Sequence, residues 1–219
     1  MSSTNPTMAS PPAMFDAVMN ITPRPPIVFV SGQGSWLTDA SGRRYLDFIQ
    51  GWAVNTLGHS PRIITEALTQ QASRLINCSP AYYNDQMIRL SDLLAQYCGL
   101  HSVFLAKSGA EANEGAIKLA RRYHHANGHP ERWRIITFKG AFHGRTLATI
   151  AAGGNEKHLE GFGPPADGFD IVPFGDLAAA EAAIGPHAAA IMVEPVQGEG
   201  GVRVAPLGWL EALRNLCDE

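Results

Sequence analysis

The sequence predicts an α/β protein in which a small antiparallel N-terminal segment precedes a mostly parallel sheet with flanking helices. Residues 27–48 contain three short apolar runs separated by turn residues, a pattern typical of an antiparallel meander. From residue 103 onward, apolar runs of strand length alternate with amphipathic runs of helix length. Such alternation is typical of a parallel sheet that is covered by helices.

Length and composition fit a folded protein of one domain or slightly more. The chain has 219 residues, of which 45% are apolar and 17% are charged, so much of it can be buried. Gly and Pro, at 22 and 15 residues, are too few for a collagen-like or low-complexity chain. The net charge is −3 and no long basic run occurs. We therefore expect no nucleic-acid partner.

Membrane insertion and secretion are not expected either. The longest apolar run, Ala188–Val193, is far shorter than the roughly 20 residues that a membrane span needs. The N-terminus has no basic residue before Arg24 and no apolar stretch of the kind found in secretory signals. Three cysteines without a CxxC pair favour a reduced, cytoplasmic location.

The first hundred residues are expected to begin with a flexible tail, residues 1–24, and to continue as strands and then helices. The strands are expected at Ile27–Val30, Trp36–Leu37 and Tyr45–Phe48. Ser60 is expected to cap the following helix, with Pro61 at its first position. The apolar stripe of that helix is Ile64, Leu68, Ala72 and Leu75. A second helix from about Asp85 carries the stripe Met87, Leu90, Leu94 and Tyr97.

Strands and helices alternate over the rest of the chain. The strands are expected at Val103–Leu105, Arg134–Phe138, Asp170–Val172 and Ala189–Val193. The helices are expected at Glu111–Tyr123, Thr146–Ala152, Leu177–Ile184 and Leu207–Leu216. Because ligands of α/β sheets bind outside the carboxyl ends of the strands, the loops at those ends form the candidate site.

The first such loop, Lys107–Ala110, joins a strand to a helix. A hydroxyl at Ser108 and the missing side chain at Gly109 allow backbone N–H groups of the helix N-terminus to approach an anion. In the alternative interpretation, Ser108 only caps the helix and Gly109 forms the turn. These residues by themselves favour the alternative, because caps are commoner than phosphate sites.

The second loop, Gly140–Thr146, brings together an aromatic ring, an imidazole and a guanidinium, at Phe142, His143 and Arg145. Arg is suited to a bidentate contact with a carboxylate, and Phe can stack on a flat ring. A surface Arg and a core Phe are the alternative interpretation.

The third loop, Glu194–Gly201, holds two carboxylates, Glu194 and Glu199, among glycines. They are able to bind a cation or to exchange a proton. The loop is not a dinucleotide-binding loop, because Arg203 stands where the third glycine is needed.

Metal and hydrolase chemistry are disfavoured. His125 and His129 have the spacing of a helical metal pair, but Gly128 and Pro130 interrupt the helix between and after them. No GxSxG sequence supplies the nucleophile turn of a hydrolase. No metal site is therefore predicted.

Taken in order, the three loops resemble those of the class III (ornithine-type) pyridoxal-phosphate aminotransferases. The resemblance covers nearly the whole chain from about Pro25. Its motifs are Gly34–Asp39, Gly42–Phe48, Gly51–His59, Ser108–Glu114, Phe142–Thr146 and Glu194–Gly201. The resemblance implies the aspartate-aminotransferase-like fold (fold type I) and pyridoxal 5'-phosphate (PLP) as the cofactor.

The resemblance also implies roles for individual residues. The implied cofactor-binding residues are Ser108, Gly109, Ala110, Phe142, His143 and Glu194. Backbone N–H groups of Gly109 and Ala110 would bind the cofactor phosphate, and Phe142 would stack on the pyridine ring. Arg145 would bind the substrate carboxylate. Glu199 would be the gating glutamate, which pairs with a second arginine and frees it when a dicarboxylate enters.

Within the class, residues 51–59 look most like bacterial acetylornithine aminotransferases of arginine biosynthesis. The implied reaction transfers an amino group from N2-acetyl-L-ornithine to 2-oxoglutarate and yields N-acetyl-L-glutamate 5-semialdehyde and L-glutamate. Ornithine, succinylornithine and 4-aminobutyrate are the alternative donors. A non-catalytic protein that keeps only the phosphate site is the alternative from another class. The resemblance further implies a homodimer.

The resemblance places part of the active site outside this chain. Family members are nearly twice as long, and their Schiff-base lysine comes after the position of Glu219, as does the aspartate that pairs with the pyridine nitrogen. None of the four lysines Lys107, Lys118, Lys139 and Lys157 matches that lysine. We therefore expect residues 25–59 to begin a small domain and residues 60–219 to begin a large PLP-binding domain. The chain alone is expected to hold no catalytic residue and to be inactive.

Overall fold

The computed structural model describes residues 17–219 of the chain. Residues 1–16, most of the predicted tail, lie outside the described residues, and residues 17–24 contain only turns and bends. The chain forms two compact units that divide between Ile88 and Arg89. The predicted boundary at residue 60 concerns the domains of longer family members and stays a prediction.

The first unit contains the predicted antiparallel meander. Strands β1 (Phe29–Gln33), β2 (Trp36–Asp39) and β3 (Arg44–Leu46) pair in chain order. Asp39 closes the turn between β2 and β3, because its carboxylate accepts hydrogen bonds from the amides of Ser41 and Arg43. Gly42 has a φ of 84°, which an L-residue with a side chain rarely adopts.

A left-handed turn, α1 (Gln50–Ala53), follows the meander and was not predicted. The φ angles of Gln50, Gly51, Trp52 and Ala53 are 48°, 63°, 61° and 63°. Left-handed backbone costs roughly 1–2 kcal/mol for each residue with a Cβ, so neighbouring groups must hold it. Asp47 does so by accepting the Gln50 amide at 3.0 Å. His59 Nε2, 2.7 Å from Asp47 Oδ2, in turn orients that carboxylate.

The two helices predicted next are both present, as α2 (Arg62–Ala72) and α3 (Asp85–Cys98). The predicted cap of α2 is wrong. Its N-cap residue is Pro61, in an extended conformation with φ −66° and ψ 134°, and no side chain caps the helix. Ser60 precedes the N-cap residue and has a φ of 50°.

The second unit is built on a parallel sheet, as the sequence predicts. Strands β4 (Arg134–Phe138), β5 (Phe169–Val172) and β6 (Ala188–Ile191) pair in the order β5–β4–β6, all parallel. The remaining helices are α4 (Gly109–Ala126), α5 (Leu147–Gly153), α6 (Glu156–Leu159), α7 (Leu177–Ala183) and α8 (Trp209–Asp218). The short helix α6 was not predicted.

The core of this unit lies around the end of the central strand β4. Phe138 is fully buried and packs against Trp209 of α8, with ring centroids 4.7 Å apart. Ala180 of α7 and Leu213 of α8 complete the buried cluster. These contacts hold the carboxyl end of β4, from which the loop at residues 139–146 continues.

One predicted strand is absent and one small sheet was missed. Val103–Leu105 is not a strand, because no neighbouring strand pairs with it in the described part of the chain, and Phe104 stays 71% exposed. Strands β7 (Val196–Gln197) and β8 (Arg203–Val204) form a two-stranded antiparallel sheet within the third loop. Among residues 17–219, no helix is both long enough and apolar enough to cross a membrane.

Candidate active site

All of the predicted site residues lie in the second unit, on three segments. Ser108–Ala110 begins α4, residues 140–146 follow β4, and residues 194–201 follow β6. Because β4 and β6 are adjacent parallel strands, their carboxyl ends meet at one edge of the sheet. Two of the three segments are therefore neighbours by topology alone.

The N-terminus of α4 is capped in a way that leaves two amides free. Ser108 is the N-cap residue, and its hydroxyl accepts a hydrogen bond from the amide of Glu111 at 3.2 Å. The Ser108 carbonyl accepts from the Ala112 amide at 3.0 Å. Within residues 17–219, the amides of Gly109 and Ala110 find no acceptor. The predicted cap is therefore present, and it leaves two donors without a partner. Anion binding by these donors stays a prediction.

The space beside Gly109 is open. A Cβ built on Gly109 would meet no heavy atom within 4 Å. The 18-residue helix α4 adds a positive potential at this end, equivalent to about half an elementary charge. This end of α4 is therefore suited to bind an anion such as a phosphate group.

The loop after β4 crosses the start of α4 in direct contact. Gly144 has a φ of 128°, and a Cβ at this position would lie 2.6 Å from the Ala110 Cβ. The side-chain amide of Asn113 donates to the His143 carbonyl at 2.7 Å. The Thr146 hydroxyl donates to Glu114 Oε1 at 2.5 Å. Helix α4 thus supplies the free amides and also holds the loop that carries Phe142 and Arg145.

Phe142 and Arg145 form a cluster with a residue that the sequence did not single out. Phe142 is 38% exposed, so part of its side chain is available to a ligand. The Arg145 guanidinium carbon lies 5.6 Å from the centroid of the phenyl ring. The His158 ring lies edge-on to the Phe142 ring, with the two ring centroids 6.2 Å apart. Among the described residues, no carboxylate forms an ion pair with Arg145. Its guanidinium is therefore free to bind an anion.

His158 and His143 are both held towards the neutral form. Burial lowers the pKa of His158, the positive charge of Arg145 lowers it further, and Glu199 opposes the shift. Burial also lowers the pKa of His143, opposed by the charge of Glu194. His143 is only 5% exposed, and its Nε2 atom has no hydrogen-bond partner among the described residues. Because buried polar atoms are nearly always hydrogen-bonded, we expect a polar group of a ligand or of another segment to bind this nitrogen.

The two predicted glutamates behave differently. Glu194 has both carboxylate oxygens bound to backbone amides, those of Phe142 and Gly198. Glu199 is exposed, and in the part of the chain that the structure describes its side chain makes no hydrogen bond. Glu199 is thus free to meet a charged partner, whereas Glu194 is already bound within the protein.

Sequence reasoning missed the residues that hold the loops together. Asn113 and Glu114 stand at the end of a recognised motif, one helical turn beyond the free amides, and that position was the available signal. Gln197 is fully buried, and its side-chain amide donates to the Lys139 carbonyl at 3.1 Å. Nothing in the local pattern around His158 indicates its contact with Phe142. The described residues contain no cluster of three or more His, Cys, Asp or Glu side chains that could hold a metal ion.

Comparison with known proteins shows the family of the chain. The family model of class-III aminotransferases matches residues 18–219, which include all three segments of the site. The chain belongs to the class-III aminotransferase family. Acetylornithine aminotransferase of Mesorhizobium japonicum is 56% identical over 196 residues, which are 90% of this chain and 49% of that protein.

Solved structures share the fold. Ornithine aminotransferase from Toxoplasma gondii, whose active site holds PLP at partial occupancy, aligns with a TM-score of 0.85 at 33% identity, over 93% of this chain and 48% of that one. N-acetylornithine aminotransferase from Stenotrophomonas maltophilia aligns with a TM-score of 0.74 at 37% identity, over 90% of this chain and 48% of that one. The predicted fold class is thereby confirmed. The chain spans about half the length of the class-III relatives that it matches.

Proposed function

We propose that the protein containing this chain is a PLP-dependent aminotransferase that uses N2-acetyl-L-ornithine as amino donor and 2-oxoglutarate as acceptor. One observation carries the proposal. The helix terminus with two free amides is in direct contact with the loop that presents a partly exposed Phe142 and a guanidinium without an ion pair. A phosphate, a flat ring and a carboxylate are the three groups that such a site binds.

The residues present fit PLP. The amides of Gly109 and Ala110 would bind its phosphate, because they have no acceptor within the described chain. The Phe142 ring would stack on the pyridine ring, since part of the phenyl group is exposed. The unpartnered Nε2 of His143 offers a further hydrogen bond to a polar group at the buried side of the site. Ser108 would support the phosphate site as the cap of α4. Glu194, from the neighbouring loop, would support the ring site through its hydrogen bond from the Phe142 amide.

When bound, PLP supplies an electron sink for transamination, and the protein supplies binding, orientation and electrostatics. Arg145 would hold the donor by its carboxylate with a planar pair of N–H groups. Glu199, exposed near His158, would act as the gate between the monocarboxylate donor and the dicarboxylate acceptor. This division of labour lets one site accept both substrates in alternate half-reactions.

The choice of donor comes from the relatives. Curated relatives from several bacteria that are 48–56% identical to this chain carry the name acetylornithine aminotransferase. The products would be N-acetyl-L-glutamate 5-semialdehyde and L-glutamate, in a cytoplasmic homodimer of arginine biosynthesis. Ornithine, succinylornithine and 4-aminobutyrate remain the alternative donors.

The test is a comparison of donors on the full-length protein. The value of kcat/KM is measured for N2-acetyl-L-ornithine, ornithine, succinylornithine and 4-aminobutyrate, with 2-oxoglutarate as acceptor. We expect acetylornithine to give the highest value. A value below that of 4-aminobutyrate would overturn the choice of donor, and a protein that binds no PLP would overturn the proposed class of reaction.

A further inference from the structure

Glu194 joins the two loops that follow the adjacent strands β4 and β6. Its Oε2 accepts a hydrogen bond from the backbone amide of Phe142 at 2.8 Å. Its Oε1 accepts one from the amide of Gly198, in its own loop, at 3.0 Å. The two bonded amides belong to segments 56 residues apart in the chain, and a single carboxylate connects them.

An ionised carboxylate suits this position better than any other side chain. It is an acceptor at both oxygens, and both of the groups that face it are N–H donors. Hydrogen bonds to a charged acceptor are roughly twice as strong as neutral ones. A glutamine side chain has the same shape, but its NH2 group would face one of the two amides and lose that bond.

A second contact between the same loops supports the first. The fully buried side chain of Gln197 donates to the Lys139 carbonyl at 3.1 Å. A Cβ built on Gly200 would lie 2.5 Å from the Gly140 carbonyl oxygen, so the two backbones touch. The loop after β6 therefore packs directly against the loop after β4, immediately before Phe142.

The Phe142 side chain is not buried in the core. The residue is 38% exposed, and its ring lies between neighbours that are themselves side chains of the site, the Arg145 guanidinium at 5.6 Å from the centroid and the edge of His158 at a centroid distance of 6.2 Å. The direction of the ring therefore depends on its backbone, and Glu194 is the side chain that binds this backbone at the residue itself.

We propose that Glu194 is a positioning residue that sets the orientation of the Phe142 ring, and that it does not contact the cofactor. The proposal rests on the proposed function, because the ring must stack on PLP for its orientation to matter. It assigns to Glu194 a role that acts through the Phe142 amide.

The main experiment is a double-mutant cycle on the full-length protein. The dissociation constant of PLP and the induced circular dichroism of bound PLP are measured for wild type, Glu194→Gln, Phe142→Leu and the double variant. We expect Glu194→Gln to weaken PLP binding about tenfold and to change the dichroism, since one charged hydrogen bond is lost. In the background of Phe142→Leu, the same substitution should change PLP binding less than about twofold, because no ring remains to be oriented.

A second readout needs no cofactor. In the apoprotein, the amides of Phe142 and Gly198 should exchange with solvent faster in Glu194→Gln than in wild type. The matched control is Glu181→Gln, which removes the same charge from an exposed position on α7 where the described residues offer no hydrogen-bond partner. The control should change neither exchange nor PLP binding. Glu194→Asp keeps the charge and should fall between wild type and Glu194→Gln, and it replaces that variant if the latter does not fold.

Two results would overturn the proposal. Equal losses of PLP affinity from Glu194→Gln in both backgrounds would mean that the carboxylate acts on the cofactor and not through Phe142. Unchanged exchange of both amides would mean that the loop is held by other contacts. A wild-type protein that binds no PLP would instead contradict the proposed function, while the exchange experiment would still test the role of Glu194.

Discussion

The start of α4 and the loop after β4 touch each other, yet they satisfy their backbone groups in opposite ways. At the start of α4, the amides of Gly109 and Ala110 have no acceptor within residues 17–219, and the space around Gly109 is open. In the loop after β4, the Phe142 amide and the His143 carbonyl are both bound by side chains of other segments. One segment keeps its polar groups free, and the other has them bound inside the protein.

This difference separates binding from positioning. Free donors at a helix terminus cost little in water and gain a partner when an anion arrives. Groups already bound by the protein gain nothing from a ligand, but they hold nearby side chains in place. Arg145 is the exception in its loop, because its guanidinium has no ion pair among the described residues. The substitutions that follow probe this division.

The largest effect is expected from a methyl group at Gly144. Gly144→Ala forces a residue with a Cβ to a φ of 128° and into contact with Ala110 and the buried Thr149 hydroxyl. The free energy of unfolding should fall by about 3 kcal/mol. Gly109→Ala is the matched control, because its Cβ would meet nothing within 4 Å, and its stability should stay within about 0.5 kcal/mol of wild type. Urea denaturation of the full-length apoproteins measures both, and equal losses would contradict the difference between the two segments.

The next effect concerns the free guanidinium. Arg145→Lys keeps the charge but loses the planar pair of donors, so kcat/KM for the donor should fall by about 100-fold. The dissociation constant of PLP should change by less than about twofold, because Arg145 is proposed to bind substrate and not cofactor. Steady-state kinetics and a PLP titration of the full-length protein check the two parts. Loss of PLP with an unchanged donor KM would assign Arg145 to the cofactor instead.

A smaller effect is expected where α4 holds the loop. Glu114→Gln weakens the hydrogen bond that the Thr146 hydroxyl donates, and the cost should be about 1 kcal/mol of stability. Thr146→Val removes the same bond together with the N-cap of α5, so its own loss should be the larger of the two. If the two groups act together, the free energy of unfolding of the double variant should fall by no more than about the larger of the two single decreases. Urea denaturation measures all three variants. Additive losses would show that the contact contributes nothing of its own.

The smallest effect is a pH dependence from His143. Burial lowers its pKa in the folded protein, so below the ordinary value of about 6.5 the unfolded chain takes up a proton that the folded chain refuses. The contribution of His143 to stability is therefore complete above that value and is lost progressively as the pH falls below it. His143→Gln should flatten the decline between pH 7.5 and 5.5 in urea denaturation of the apoprotein. An unchanged slope would show that His143 takes up its proton over the same pH range in the folded protein as in the unfolded chain.

Local patterns were sufficient to predict the elements that carry the site. The strand at Arg134–Phe138 and the helix that begins beside Ser108 follow from runs of apolar residues and from a capping residue, which are properties of neighbouring positions. The predicted strand at Val103–Leu105 is absent because a strand needs a partner, and the described residues supply none. The left-handed turn at Gln50–Ala53 escaped prediction because a contact from Asp47 overrides the local preference of those residues.

The sequence by itself determined the parallel sheet, the family and the identity of the loops that hold Ser108, Phe142 and Glu194. It did so because apolar periodicity and turn residues act over a few positions, and because the motifs of the family are contiguous. Only the tertiary structure decided which polar groups in those loops are free and which are bound. The bonds that decide this join residues 30 positions apart, as in Asn113 with His143, or 52 positions apart, as in Phe142 with Glu194. Contacts of that span exist only after the sheet has brought its strand ends together, and so no local pattern contains them.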